Sequence, residues 1–78
     1  MSTRVKLTFP QELIREPIIF NMAKKYDLMP NIRRARVTAA AGEMILELEG
    51  DEENIQKGIE SIKQQGVNVE LVEGDILE

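Results

Sequence analysis

Polar and apolar residues alternate strictly from Arg4 to Phe9, with Val5, Leu7 and Phe9 on one face and Arg4, Lys6 and Thr8 on the other. A period of two marks a half-buried strand. Pro10 ends it, and Leu13 and Ile14 are placed to tuck under the end of the sheet. Glu16-Pro17 then starts a helix, since proline at the first helical position loses no needed N–H. Ile18, Ile19, Met22, Ala23 and Tyr26 form one apolar stripe at helical spacing, and Lys24 and Lys25 suit the negative end of the helix dipole. Pro30 disfavours helical geometry at residue 29, so the helix stops before it.

A second strand is expected over Ile32 to Ala39. Simple alternation puts Arg33, Ala35, Val37 and Ala39 on one face and Ile32, Arg34, Arg36 and Thr38 on the other. The small residues on the first face predict close helix packing above them. Ala40-Ala41-Gly42 is expected to turn the chain, with Gly42 at positive φ. Glu43 to Glu49 forms a third strand, with Met44, Leu46 and Leu48 inward and Glu47 and Glu49 outward. A two-residue turn at Ala41-Gly42 would set Arg36 opposite Glu47 and Arg34 opposite Glu49.

Asp51 caps a second helix with an acidic first turn, and Ile55, Ile59 and Ile62 line its buried face beside Gly58, where backbone can approach closely. Gly66 ends the helix at the C′ position. Val67 to Val72 alternates again as a fourth strand, and Glu73 to Glu78 is an acidic tail. The order β-α-β-β-α-β is the split βαβ arrangement of a ferredoxin-like α+β fold. Its antiparallel sheet runs 4-1-3-2 with both helices on one face. The expected organisation is one domain over residues 4–73, with a short extension at 1–3 and a tail at 74–78.

Composition removes most chemistry. The 78 residues contain no Cys and no His, which excludes disulfides, thiolate catalysis, Cys-ligated metals and the commonest general base. No DxDxDG-type loop binds calcium, and no convergent pair of carboxylates suggests hydrolysis. Neither a catalytic residue, a cofactor nor a metal site is therefore expected. The acidic run Glu47 to Glu53 reads as a solvated strand followed by a helix N-terminus, and Met22, Met29 and Met44 as core filler. Without a long apolar run or a signal-peptide core, the expectation is a cytoplasmic chain with no membrane insertion.

The net charge of −4 speaks against general affinity for nucleic acid. Its distribution is uneven: Lys24, Lys25, Arg33, Arg34 and Arg36 are accompanied only by Asp27, whereas Glu43 to Glu53 carries six acids and no base. RNA-recognition modules on this fold stack bases on aromatics of the central strands; here those positions hold Lys6, Thr8, Ile45 and Glu47. Arg34 and Arg36 are therefore read as partners of Glu49 and Glu47, or as interaction residues. Arg33 either snorkels at the sheet end or meets a carboxylate from a ligand or partner chain. Asn31 is read as a turn residue capping a backbone group, or as a ligand-binding residue.

Pro30-Asn31-Ile32-Arg33-Arg34-Ala35-Arg36-Val37, followed by Leu46-Glu47-Leu48-Glu49-Gly50 and Gln65-Gly66-Val67-Asn68-Val69-Glu70, resembles a NIL domain. That family is the small ferredoxin-like, ACT-like module at the C-terminus of methionine-importer ATPase subunits, named for an Asn-Ile-Leu motif. Asn31 to Ala35 and the closing Glu73 to Asp75 are most similar to the branch in which the domain precedes a bacterial ferredoxin module.

The resemblance implies a homodimer that binds methionine and regulates transport, with Asn31 as the motif asparagine and Ile32 and Arg33 beside it in the ligand site. Arg33 stands where the motif has leucine. For the ferredoxin-fused branch the implied setting is sulfur incorporation during homocysteine synthesis. The chain has no cysteine for a cluster and no ATPase domain, so a stand-alone module is expected. It would bind a sulfur amino acid, or serve as an adaptor on a partner that carries a ferredoxin or transporter module.

Overall fold

The computed structural model describes residues 2–14 and 16–72. Strand β1 (Ser2–Pro10) leads through a 3-10 turn (Gln11–Leu13) to helix α1 (Ile18–Lys25). A hairpin of β2 (Met29–Val37) and β3 (Ala41–Glu49) follows, then helix α2 (Glu52–Gln64) and strand β4 (Asn68–Leu71). The sheet is antiparallel in the order β2-β3-β1-β4, the ferredoxin-like order expected, read from the opposite edge. The tail expected at 74–78 lies outside the described residues.

The core follows from the alternation. Val5, Leu7 and Phe9 on β1 are buried, paired across the sheet with Leu46, Met44 and Gly42. Ile18 and Met22 of α1 and Ile55, Ile59 and Ile62 of α2 close over them. Leu13 and Ile14 pack against this cluster, as their position after Pro10 suggests.

The helix ends are specified locally. The Asp51 carboxylate accepts a hydrogen bond from the Glu53 amide at 3.0 Å, filling one of the orphan donors of α2. At its other end Gly66, at φ 105°, donates to the Lys63 carbonyl and Val67 donates to the Ile62 carbonyl, the paired bonds of a Schellman cap. Helix α1 ends in related fashion: Leu28 donates to the Ala23 carbonyl at 2.9 Å across Asp27, a non-glycine residue at φ 54°.

The helices approach through Leu28. A methyl group added at Gly58 would lie 2.9 Å from both Leu28 Cδ1 and Met22 Sδ, so the bare backbone of α2 is what admits α1. Gly50 stands at φ 153°, with Leu28 Cδ2 only 2.7 Å from the place of a Cβ.

Strand β2 differs from expectation in four respects. It starts at Met29 and ends at Val37, so Pro30 lies inside it opposite Leu48. Proline is tolerated there because this is an edge strand. The pairing also slips by one residue between Ile32 and Arg34, a β-bulge that makes Arg33 an extra residue and reverses the parity before it. Ile32 therefore pairs with buried Leu46 and shares the helix-side face with Ala35 and Val37, while Asn31, opposite Glu47, joins Arg34 and Arg36 on the open face.

The hairpin, thirdly, closes at Thr38 to Ala41. Thr38 Oγ1 accepts from the amides of Ala40 and Ala41 at 3.3 and 3.1 Å and donates to the Ala41 carbonyl at 3.0 Å. A threonine that organises its own turn replaces the expected glycine turn. Positive φ at glycine is confined to Gly50 and Gly66 among the described residues, and Gly42 is a buried residue of β3 opposite Phe9. This register sets Arg36 opposite Glu43 and Arg34 opposite Ile45, and Glu47 pairs instead with Arg4 at 2.8 Å.

Finally, no helix packs closely on β2. All nine of its residues are exposed, including Met29, which is surface rather than core.

Replacing Gly50 by alanine forces a Cβ into Leu28 at a φ that side chains avoid. The variant is expected to lose roughly 1–3 kcal/mol, measured as a lowered urea midpoint with an unchanged slope.

Candidate functional site at the bare edge strand

The residues singled out by sequence all lie on β2, and two concavities flank it. On the helix side, α1 begins behind Pro17 and leans over the far half of β2, leaving an apolar groove of about 190 Å³ among Phe9, Ile18, Phe20, Ala35, Val37 and Met44. Phe20 is 65% exposed, Val37 69% and Ile32 55%. These side chains sit on the helix side of the sheet edge and are each more than half exposed. Phe20 and Val37 both line the groove, and an exposed apolar surface of this kind is a mark of interaction sites.

The open face is polar. Arg4, Glu47 and Asn31 form one row across β1, β3 and β2, and the Arg4–Glu47 pair is about three-quarters shielded from solvent, so Asn31 stands beside a neutralised charge. The next rows run Glu70, Lys6, Ile45, Arg34 and Asn68, Thr8, Glu43, Arg36. Lys6, Arg34, Arg36 and Glu43 line a shallow concavity of about 560 Å³ here.

Asn31, Ile32 and Arg33 are consecutive but do not converge within one chain. Asn31 faces the open side, Ile32 the helix side, and Arg33 occupies the bulge. Asn31 is inside a strand rather than in a turn. The apolar groove was missed in sequence. Its signal was Phe20, a large aromatic lying off the apolar stripe of α1, near Lys24, whose Nζ is 5.9 Å from the ring centroid. No three acidic side chains group as a metal site among the described residues, and no helix there is long and apolar enough to cross a membrane.

This architecture defines a ferredoxin-like α+β sandwich whose β2 edge is exposed along its whole length. The chain belongs to the NIL domain family, whose model matches residues 3–71. It is 35% identical over 68 residues to Methionine import ATP-binding protein MetN 2 of Acinetobacter baylyi, an alignment covering 82% of this chain and 20% of that protein. It is 29% identical to Methionine import ATP-binding protein MetN of Bacillus subtilis, covering 87% and 21%. The chain thus spans about a fifth of the length of these relatives.

Among solved structures, the C-terminal domain of an ABC transporter ATP-binding protein from Enterococcus faecalis superposes with a TM-score of 0.79 at 26% identity, over 94% of this chain and 86% of that one. A de novo designed protein at 14% identity shares the fold, with a TM-score of 0.59 over 95% of this chain and 97% of that one.

The bare residues of β2 contribute little to folding. Ile32→Gln and Val37→Gln are each expected to change stability by no more than about 0.5 kcal/mol, whereas Leu46→Ala, on the buried partner of Ile32, should cost about 2–5 kcal/mol. Chemical denaturation followed by circular dichroism measures all three.

Proposed function

We propose that this chain is a non-catalytic regulatory module of sulfur amino acid metabolism, with residues 4–73 as its single domain. It binds a small ligand such as methionine and acts as a homodimer joined along β2 in the cytoplasm. The observation that carries the reading is the bare β2 edge flanked by an apolar groove. An unpaired strand edge is a template for strand addition, and the groove is apolar where a thioether side chain would lie.

Two β2 strands pairing antiparallel about their bulges bring the Asn31-Ile32 end of one chain alongside the Ala35–Val37 end of the other. Asn31 stays on the open face of the joined sheet and the apolar groove on its helix side, so the apolar side chain of a ligand would lie in the groove and Asn31 would border the seam from the other face. The importer ATP-binding proteins that share this domain carry methionine in their names, which supports the choice of ligand class.

Isothermal titration calorimetry against methionine and homocysteine tests the ligand. Saturable binding that is weakened at least about tenfold in Asn31→Ala, some 1.4 kcal/mol, is the expected result. A folded protein that releases no heat with either amino acid would overturn the sensor reading.

A second reading is favoured by Arg33, which puts a guanidinium where the family motif has leucine. In that reading the domain is an adaptor that docks on a transporter or ferredoxin-bearing partner without a small ligand. Arg33→Leu separates the two: a gain of methionine affinity supports the sensor, and continued silence supports the adaptor.

A further inference from the structure

The same edge that invites pairing also resists it. Strand β2 carries Arg33, Arg34 and Arg36 and no acid, in a chain whose net charge is −4. Arg34 and Arg36 are two residues apart on the open face, and Lys6 lies across Ile45 from Arg34. Among the described residues, none of Lys6, Arg34 and Arg36 takes part in an ion pair. All three line the open-face concavity with Glu43, over Ile45 and Met44, so cations outnumber acids around a space of about 560 Å³.

A two-fold pairing of β2 edges doubles this arrangement. Residues opposite one another in an antiparallel pair share a face, so any register centred between residues 33 and 36 sets the open-face arginines of the two chains opposite or diagonal to each other. Like charges in those positions are destabilising. Guanidinium groups, however, are well suited to clamp a multiply charged oxyanion through forked hydrogen bonds.

We propose that this concavity is an oxyanion site, in which Arg34 and Arg36, assisted by Lys6, hold a phosphate- or pyrophosphate-class anion that neutralises the edge and permits two copies to pair along β2. The anion is either free or the phosphoryl tail of a nucleotide. The inference rests on the β2 dimer proposed above, and adds a condition under which that dimer forms.

Sedimentation velocity of the whole chain tests it, with sodium pyrophosphate compared against sodium chloride at equal ionic strength. The wild type is expected to dimerise roughly tenfold more tightly in pyrophosphate. The Arg34→Gln/Arg36→Gln variant, whose changes are on exposed positions, should dimerise equally in both salts. An equal response to ADP assigns the effect to the phosphates alone, and a stronger response to ADP assigns it to a nucleotide; either supports the site.

A wild-type dimer whose affinity follows ionic strength only, or ignores the anion, overturns the oxyanion site and leaves the dimer standing. A wild type and a double variant that both stay monomeric in every salt overturn the dimer, and this inference with it.

Discussion

The close approach of α1 and α2 through Leu28 is the constraint on which the rest of the molecule depends. Gly58 admits Leu28 and Met22 to within 2.9 Å of where a methyl would stand, and Gly50 yields to the other branch of the same leucine. Together they draw the two helices into one layer over the buried residues of β1 and β3. Helix α1 has only eight residues, about 12 Å of length, whereas the nine residues of β2 extend about 30 Å. A helix held against α2 and this short leaves most of the edge strand uncovered. The apolar groove is the space between the start of α1 and the part of β2 it overhangs.

Much of this was legible in the sequence because the signals were local and redundant. The alternation in β1, β3 and β4, the isoleucine stripe of α2, the Asp51 cap and the Gly66 stop each depend on residues close in the chain, and their order implies the sheet topology. Strand β2 was legible only as a strand. Its parity depends on a bulge at Arg33, and nothing in Asn31-Ile32-Arg33-Arg34 distinguishes a bulged strand from a regular one. One extra residue moved Ile32 to the helix side and Asn31 to the open side. The register depends on Thr38, whose hydroxyl closes the hairpin earlier than the glycine that draws the eye.

The burial of Ala35 and Val37 failed for a different reason. Small side chains on a strand permit helix packing but do not bring a helix, and where α1 lies is decided by Gly58 on another element. The site was therefore partly visible, as an unusual run of residues from Asn31 to Arg36, and partly hidden, because the groove beside it is made by distant parts of the chain. Phe20 is instructive here: its exposure makes sense only once β2 is known to be bare.

Strand β2 combines features that pull in opposite directions. Pro30, the bulge at Arg33 and a row of arginines are devices that keep a sheet edge from pairing indiscriminately. Ile32, Val37 and Phe20 beside them are side chains that water disfavours and a second surface would cover. A strand meant only to remain monomeric has no use for the apolar row. One meant to pair permanently would have no use for the charges, since obligate interfaces resemble a core cut in half. The two sets lie on opposite faces of the same strand, the apolar residues on the helix side and Arg34 and Arg36 on the open side. An event on either face can therefore shift the balance at the edge without disturbing the buried core. Separating attraction from restraint in this way suits a module whose association is conditional.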